Sequence, residues 1–462
     1  MRCAQKKGNN RRLSIAIVGG GMAGIAAAFK LATSPRFSVT IFEKETEIGG
    51  LSSSYRWQDL TCDRFYHVIL PTDSYLLEFI RELGLESALF WKKTKSGFYG
   101  HGRLVSLSST GDFLKFPFIN FGQKIRLGLG ILYANKIRNP EKLDSISASA
   151  WLTRIFGRRI YQNIWEPLLR SKFGEACERI SASLIWATIK RLYGTRSTAE
   201  KQERLGYVQG GYKIIFEAAR KRIEESGGKI LTGAHVEKVA FNRQNRKIVI
   251  LSGTHTIEFD RLLLTIPCPE VLRIIDLNEE DPYWRRLGQV EYLGVICLLL
   301  VLNRKLSPYY VINLLDRTLP FTGIVESTNV VSPRSFGYRH LVYLPKYVAE
   351  EDPLINESDG EISSQFYEKL RRVFPDFNEK DIIHKQIFRE KYVQPVLDIG
   401  FLEKQAGFQT PIPGTYLVSS SMISDSTLNN NAMVNLASRA AEMIIKDNVL
   451  AGSEKKALDD HD

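Results

Sequence analysis

The sequence predicts an α/β fold, with a Rossmann-type nucleotide domain interrupted by a mixed α+β domain. Three observations predict it. A strand–helix–strand unit with a glycine-rich turn opens the chain at Ser14, nucleotide-type segments return after Gly210-Gly211, and a last strand and helix follow Gly414. With 462 residues the chain is too long for one simple core, so two interleaved domains are the natural division.

Residues 14–18 form a buried strand, 22–33 an alanine-rich helix and 38–43 a β-branched strand, joined as tightly as a parallel sheet requires. Residues 74–83 read as an amphipathic helix, and 102–198 are mostly helical, including 124–136 and 148–169. A helix over 212–226 stops at Gly227-Gly228, and strands follow at 229–231, 236–241, 247–251, 256–259 and 261–266. Residues 290–302 and 340–344 belong to a second sheet; 360–372 form a helix with Asp359 as its N-cap. Residues 414–418 are a strand and 432–446 the closing helix, with a charged, disordered tail after Asn448.

The turn reads Gly19-Gly20-Gly21-Met22-Ala23-Gly24. Gly19 permits the tight turn, Gly21 lets backbone approach a pyrophosphate, and Gly24 lets helix and strand pack closely. The helix N-terminus offers free N–H groups to phosphates. Glu43 ends the second strand about twenty positions later, where a carboxylate accepts a ribose diol. Its charge argues against a 2′-phosphorylated nucleotide. FAD and NAD share this fingerprint. The loop Glu47-Ile48-Gly49-Gly50-Leu51 either carries backbone along an extended dinucleotide or is a simple connection.

A net charge of +12 and a pI near 9.3 favour anionic partners without defining a fold. The basic residues are scattered and no nucleic-acid reading motif occurs. Five dispersed cysteines, Cys3, Cys62, Cys177, Cys268 and Cys297, offer no metal framework and suit a reducing cytoplasm. Neither a signal peptide nor a spanning segment is expected.

Residues 15–43 with the Gly49-Gly50 loop resemble the FAD-containing amine oxidase superfamily, which includes protoporphyrinogen oxidases, carotenoid-type desaturases and monoamine oxidases. So do Gly210-Gly211, Gly228, Val236 and the 260–267 segment. The sequence is most similar to a bacterial protoporphyrinogen-oxidase-like group through Asp63-Arg64-Phe65-Tyr66-His67, Trp165-Glu166-Pro167-Leu168-Leu169, Lys172-Phe173-Gly174, Glu291-Tyr292-Leu293-Gly294-Val295 and Ser307-Pro308-Tyr309-Tyr310. The resemblance implies a Rossmann-type FAD-binding domain interrupted by a mixed α+β substrate domain. Residues 12–101, 205–270 and 401–447 would form the first, and 102–204 and 271–400 the second, leaving 448–462 as tail. Non-covalent FAD would be held by Gly19, Gly21, Met22, Ala23, Gly24, Glu43, Lys44, Gly49, Gly50, Leu51, Val236, Asp425 and Asn431. One departure stands out: such proteins close over the flavin with an acid, Arg-Gly and Thr-Asn, whereas Ser424–Asn431 reads SDSTLNNN. The Arg-Gly is missing, and either Asn429 or Asn431 fills the usual position.

No catalytic triad or covalent flavin attachment point appears, as suits an enzyme whose cofactor carries the electrons. Candidates for chemistry are His67, either a proton handler or a histidine satisfied by backbone, and Arg170 and Lys172, either anion ligands or a solvated helix end. The expected function is oxidation of a C–C or C–N bond of a small organic substrate, with an anion favoured by the basic charge. The alternatives are a redox-neutral mutase acting on a nucleotide sugar, suggested by a fainter likeness of Lys172-Phe173-Gly174 and His67 to UDP-galactopyranose mutases, and an inactive FAD-binding protein. The helical stretch 124–138 is apolar in its middle with basic ends. It either packs on its own domain, the commoner arrangement, or gives a cytoplasmic protein a peripheral membrane contact.

Overall fold

The computed structural model describes residues 12–194, 204–276, 280–424 and 426–459. A five-stranded parallel sheet runs in the order Thr415–Leu417, Arg261–Leu264, Leu13–Val18, Phe37–Phe42, Lys229–Leu231. Strands from the start, middle and end of the chain thus become neighbours. The crossover helix Met22–Ala32 buries Ala23, Ala26, Ala27 and Ala28, and these small side chains let the sheet and the closing helix approach closely. That closing helix spans Asn430–Asp459, through residues expected to be a disordered tail. The correction has a local cause: Glu454, Lys455, Lys456, Ala457 and Leu458 are strong helix formers with no proline among them. The meander Lys238–Asn242, Lys247–Ser252, His255–Phe259 is antiparallel and feeds the strand Arg261–Leu264.

The second sheet has seven strands in the order Ile382–Pro395, Tyr292–Leu302, His340–Val348, Gly323–Glu326, Val311–Leu314, Ser96–Gly100, Arg103–Ser106. Ser96–Gly100 and Arg103–Ser106 lie in this sheet, so the division expected between residues 101 and 102 falls inside it. Every residue of Tyr292–Leu302 is buried, because alternate side chains enter different cores. Ile296, Leu298, Leu300 and Leu302 pack with Ile362, Phe366 and Leu370 of the helix Asp359–Val373. Val295, Cys297, Leu299 and Val301 join the core of the nucleotide sheet. The helix Asp359–Val373 is capped by Ser358 rather than Asp359: Ser358 Oγ accepts the Glu361 N–H, and the Glu361 carboxylate accepts the Ser358 N–H.

A third, helical core gathers Trp151, Leu152, Phe156, Ile164, Ile185 and Trp186. The single helix expected over 148–169 is broken at Gly157, whose φ of 88° ends the segment Ala148–Phe156. A wide turn at Tyr161–Trp165 then leads into Glu166–Phe173. Among the described residues no helix is long and apolar enough to cross a membrane.

Candidate functional site

The site grows from the carboxyl ends of the strands Leu13–Val18 and Phe37–Phe42, where ligands of open α/β sheets bind. Gly19 has a φ of +107°, and a Cβ there would lie 2.7 Å from Thr265 Oγ1. A Cβ on Gly24 would lie 1.9 Å from the Gly19 carbonyl oxygen, so this glycine serves contact between turn and helix. Gly21 differs. A Cβ there would meet nothing nearer than Gly50 Cα at 3.9 Å, because a cavity begins beside it. The helix Met22–Ala32 has no side-chain cap and no acid in its first turn, so its leading N–H groups stay available at the cavity wall.

Glu43 is buried, with Oε2 accepting the Gly20 N–H at 2.6 Å and Oε1 accepting the Glu45 N–H at 2.9 Å. A carboxylate has about four acceptor positions, so two remain for ligand hydroxyls. The second glycine pair is more than a simple connection: the Gly49 N–H donates to the Gly20 carbonyl at 2.9 Å, docking one loop on the other.

The cavity measures about 1220 Å³. Gly19, Gly21, Met22, Ala23, Glu43, Lys44, Gly49, Gly50, Leu51 and Val236 line one part of it. Trp165, Leu168, Lys172, Phe173, Tyr310, Asn313, Val325 and Tyr347, from the helical core and the second sheet, line another. Asp425 lies outside the described residues. Asn431 is turned away, its Oδ1 accepting the Leu76 N–H at 3.0 Å, whereas Asn429 and Asn430 line the cavity. Consecutive residues at a helix start point about 100° apart, so Asn430 and Asn431 cannot both face the same space.

The Asp63–His67 motif joins several segments. Asp63, fully buried, accepts the Tyr207 hydroxyl at 2.6 Å and the Tyr212 N–H at 3.2 Å, and burial pushes its carboxyl up to about 7. Arg64 pairs with Glu390 at 2.7 Å, and Tyr66 and Tyr347 both line the cavity. His67 faces the cavity and is also satisfied by protein: Nδ1 lies 2.9 Å from the Phe65 carbonyl and Nε2 lies 3.2 Å from Ser52 Oγ. Burial lowers its pKa to about 4, so the imidazole is neutral at physiological pH.

Arg170 does not reach the cavity. Glu166, Glu175 and Glu178 hold its guanidinium at 3.3, 3.5 and 2.7 Å, which removes it as an anion ligand. Lys172 does line the cavity, with Nζ 5.4 Å from the ring centre of Phe173 and 5.5 Å from that of Tyr347. Desolvation, and then the charge of Arg191, lower its pKa to about 8. Lys172 has no carboxylate partner among the described residues. Arg191 escaped the sequence reading: it holds Asp73 at 3.1 Å and Thr427 at 3.0 Å, placing a guanidinium beside the loop that lacks the usual Arg-Gly. No motif surrounds Arg191, so nothing in the sequence pointed to it.

These features fit FAD. The space beside Gly21 is one a side chain would fill, and uncapped helix N–H groups at the cavity wall suit a diphosphate. A nucleotide cradle opening into a chamber walled by a second sheet is the arrangement of a flavin-binding protein. The chain belongs to the flavin containing amine oxidoreductase family, whose profile matches residues 22–425.

Coproporphyrinogen III oxidase of Staphylococcus aureus is 22% identical over 316 residues, covering 61% of this chain and 66% of that protein. AofH of Mycobacterium tuberculosis is 24% identical over 274 residues, covering 55% of this chain and 57% of that one. The chain therefore spans less than two thirds of these curated relatives. In fold it is similar to an oxidoreductase from Methanosarcina mazei, with a TM-score of 0.72 at 19% identity, covering 93% of this chain and 100% of that one.

Proposed function

We propose that the chain oxidises a C–C or C–N bond of a small organic substrate, with non-covalent FAD accepting the hydride. The observation that carries this reading is the single cavity whose wall passes from the glycine cradle to a chamber of aromatic residues and one lysine. In this reading Gly19, Gly21, Gly24, Gly49 and Gly50 shape the backbone around the nucleotide. Met22 and Ala23 donate to its phosphates, Glu43 accepts its ribose, and Lys44, Leu51 and Val236 flank it. Asn430, whose Oδ1 accepts the Ser52 hydroxyl at 3.1 Å, flanks it as well. Residues 12 to about 95, 205–270 and 401–447 form the nucleotide domain, and the described residues from about 96 to 204 and within 271–400 form the substrate domain.

On the substrate side, Tyr66, Tyr310, Tyr347 and Phe173 supply an apolar wall that excludes water and orients a carbon skeleton. Arg64 and Arg191 are committed to Glu390 and Asp73, whereas Lys172, set against the rings of Phe173 and Tyr347 and without a carboxylate partner among the described residues, anchors an anionic substrate group. His67 stays neutral and holds Ser52 rather than relaying a proton. The buried, unpaired Cys62, Cys177, Cys268 and Cys297 suit a reducing cytoplasm, where we place the protein. Acid precipitation of the purified protein tests the cofactor assignment: all flavin should enter the supernatant as FAD, and FMN, or flavin kept in the pellet, contradicts it.

A further inference from the structure

The turn after the first strand is gripped by a residue far from it in sequence. Thr265, just past the strand Arg261–Leu264, stands half-buried at the cavity wall. Its Oγ1 lies 2.9 Å from the Val18 carbonyl oxygen and 3.0 Å from that of Gly19, so its one proton is shared between them. The Thr265 N–H donates to the same Val18 carbonyl at 2.9 Å.

The hydroxyl stands where the glycines leave room. A Cβ on Gly19 would lie 2.7 Å from Thr265 Oγ1, and a Cβ on Gly24 would lie 2.9 Å from it. The first and last glycines of the turn therefore admit this side chain as well as shaping the backbone.

One peptide group is held at both ends. The Gly19 carbonyl accepts the Thr265 hydroxyl, and the N–H of the same peptide, carried by Gly20, donates to Glu43 Oε2 at 2.6 Å. The two side chains follow the strands that flank Leu13–Val18 on either side. In a planar trans peptide the C=O and N–H point in opposite directions, so fixing both stops the plane from turning. With the Gly19 carbonyl bonded to Thr265, its partial negative charge stays off a bound anion, and the first turn of the helix Met22–Ala32 presents its N–H groups instead.

We infer that Thr265 is a positioning residue for the cofactor: through the Gly19–Gly20 peptide it holds the glycine turn in the shape that receives the FAD diphosphate. Thr265 acts at the phosphate end, so this role is independent of which bond the flavin oxidises.

The test compares the full-length holoprotein with its Thr265→Ser and Thr265→Ala variants, which differ from each other only in the hydroxyl. Release of FAD on dilution is followed by the recovery of flavin fluorescence, and the diphosphate of bound FAD by its phosphorus-31 resonances. Thr265→Ala should release FAD faster by about fivefold or more and shift the diphosphate resonances, while the visible flavin band and the circular dichroism spectrum stay unchanged. A folded Thr265→Ala protein that retains no flavin, beside a loaded Thr265→Ser protein, is the same result in stronger form. Thr265→Ser should match the wild type in both readouts. Wild-type release with unshifted resonances in Thr265→Ala, equal losses in the serine and alanine variants, or a Thr265→Ala protein that loses its fold together with its flavin would each overturn the inference.

Discussion

Glu43 accepts the backbone N–H of Gly20 at 2.6 Å, tying the acid that ends the second strand to the turn that follows the first. The carboxylate thus shapes the glycine turn as well as facing the ligand. Glu43→Ala should weaken FAD binding by about 1–3 kcal/mol, the cost of poorly paired hydroxyls and freed backbone donors. Glu43→Gln should lose less, because the amide keeps one acceptor. Flavin titration of the apoprotein measures both, and unchanged affinity in the alanine variant removes Glu43 from the site.

Gly21 and Gly24 should separate binding from folding. A side chain at Gly21 enters the cavity and meets only Gly50 Cα at 3.9 Å, so Gly21→Val should fold normally and retain no flavin. A Cβ at Gly24 would lie 1.9 Å from the Gly19 carbonyl oxygen, so Gly24→Ala should lower the thermal melt of the apoprotein itself. Circular dichroism melts and flavin-to-protein ratios report the two effects. Full flavin in Gly21→Val contradicts the cradle.

The nucleotide unit was legible because its physics is local. Gly19, Gly21, Gly24 and Glu43 sit at spacings that only a strand–turn–helix–strand places together, and that arrangement is what the structure has. Other parts were hidden for stated reasons. Ile382–Pro395 interleaves Lys385, Arg389, Glu390 and Lys391 with apolar residues, and it pairs with Tyr292–Leu302 as an edge strand. Charged edges are how sheets avoid further pairing, but in a sequence they resemble a loop. Arg170 and Lys172 are two residues apart on one short helix, and only packing decides that three glutamates take one while the cavity receives the other. Asn430 and Asn431 differ in the same way.

Lys172 sets the expected pH dependence. Its pKa is lowered to about 8, so the charged form that holds an anion is present below that pH and lost as pH rises through it. The kcat/KM for an anionic substrate should therefore fall above about pH 8, by about tenfold per unit. Lys172→Met should lower kcat/KM below pH 8 and flatten the profile there. His67, lowered to about 4, should add no inflection between pH 5 and 8, and His67→Gln should leave that range unchanged in shape. A wild-type profile flat from pH 6 to 10 removes Lys172 from substrate binding.

The most direct test of the central claim is an anaerobic titration of the oxidised holoprotein with candidate amines and carboxylated cyclic substrates, following the visible flavin band. A true substrate should bleach the band, with one two-electron oxidation per flavin, and admitting an electron acceptor should restore it. Activity that appears only after chemical reduction, with an isomerised product and no electrons consumed, would contradict it.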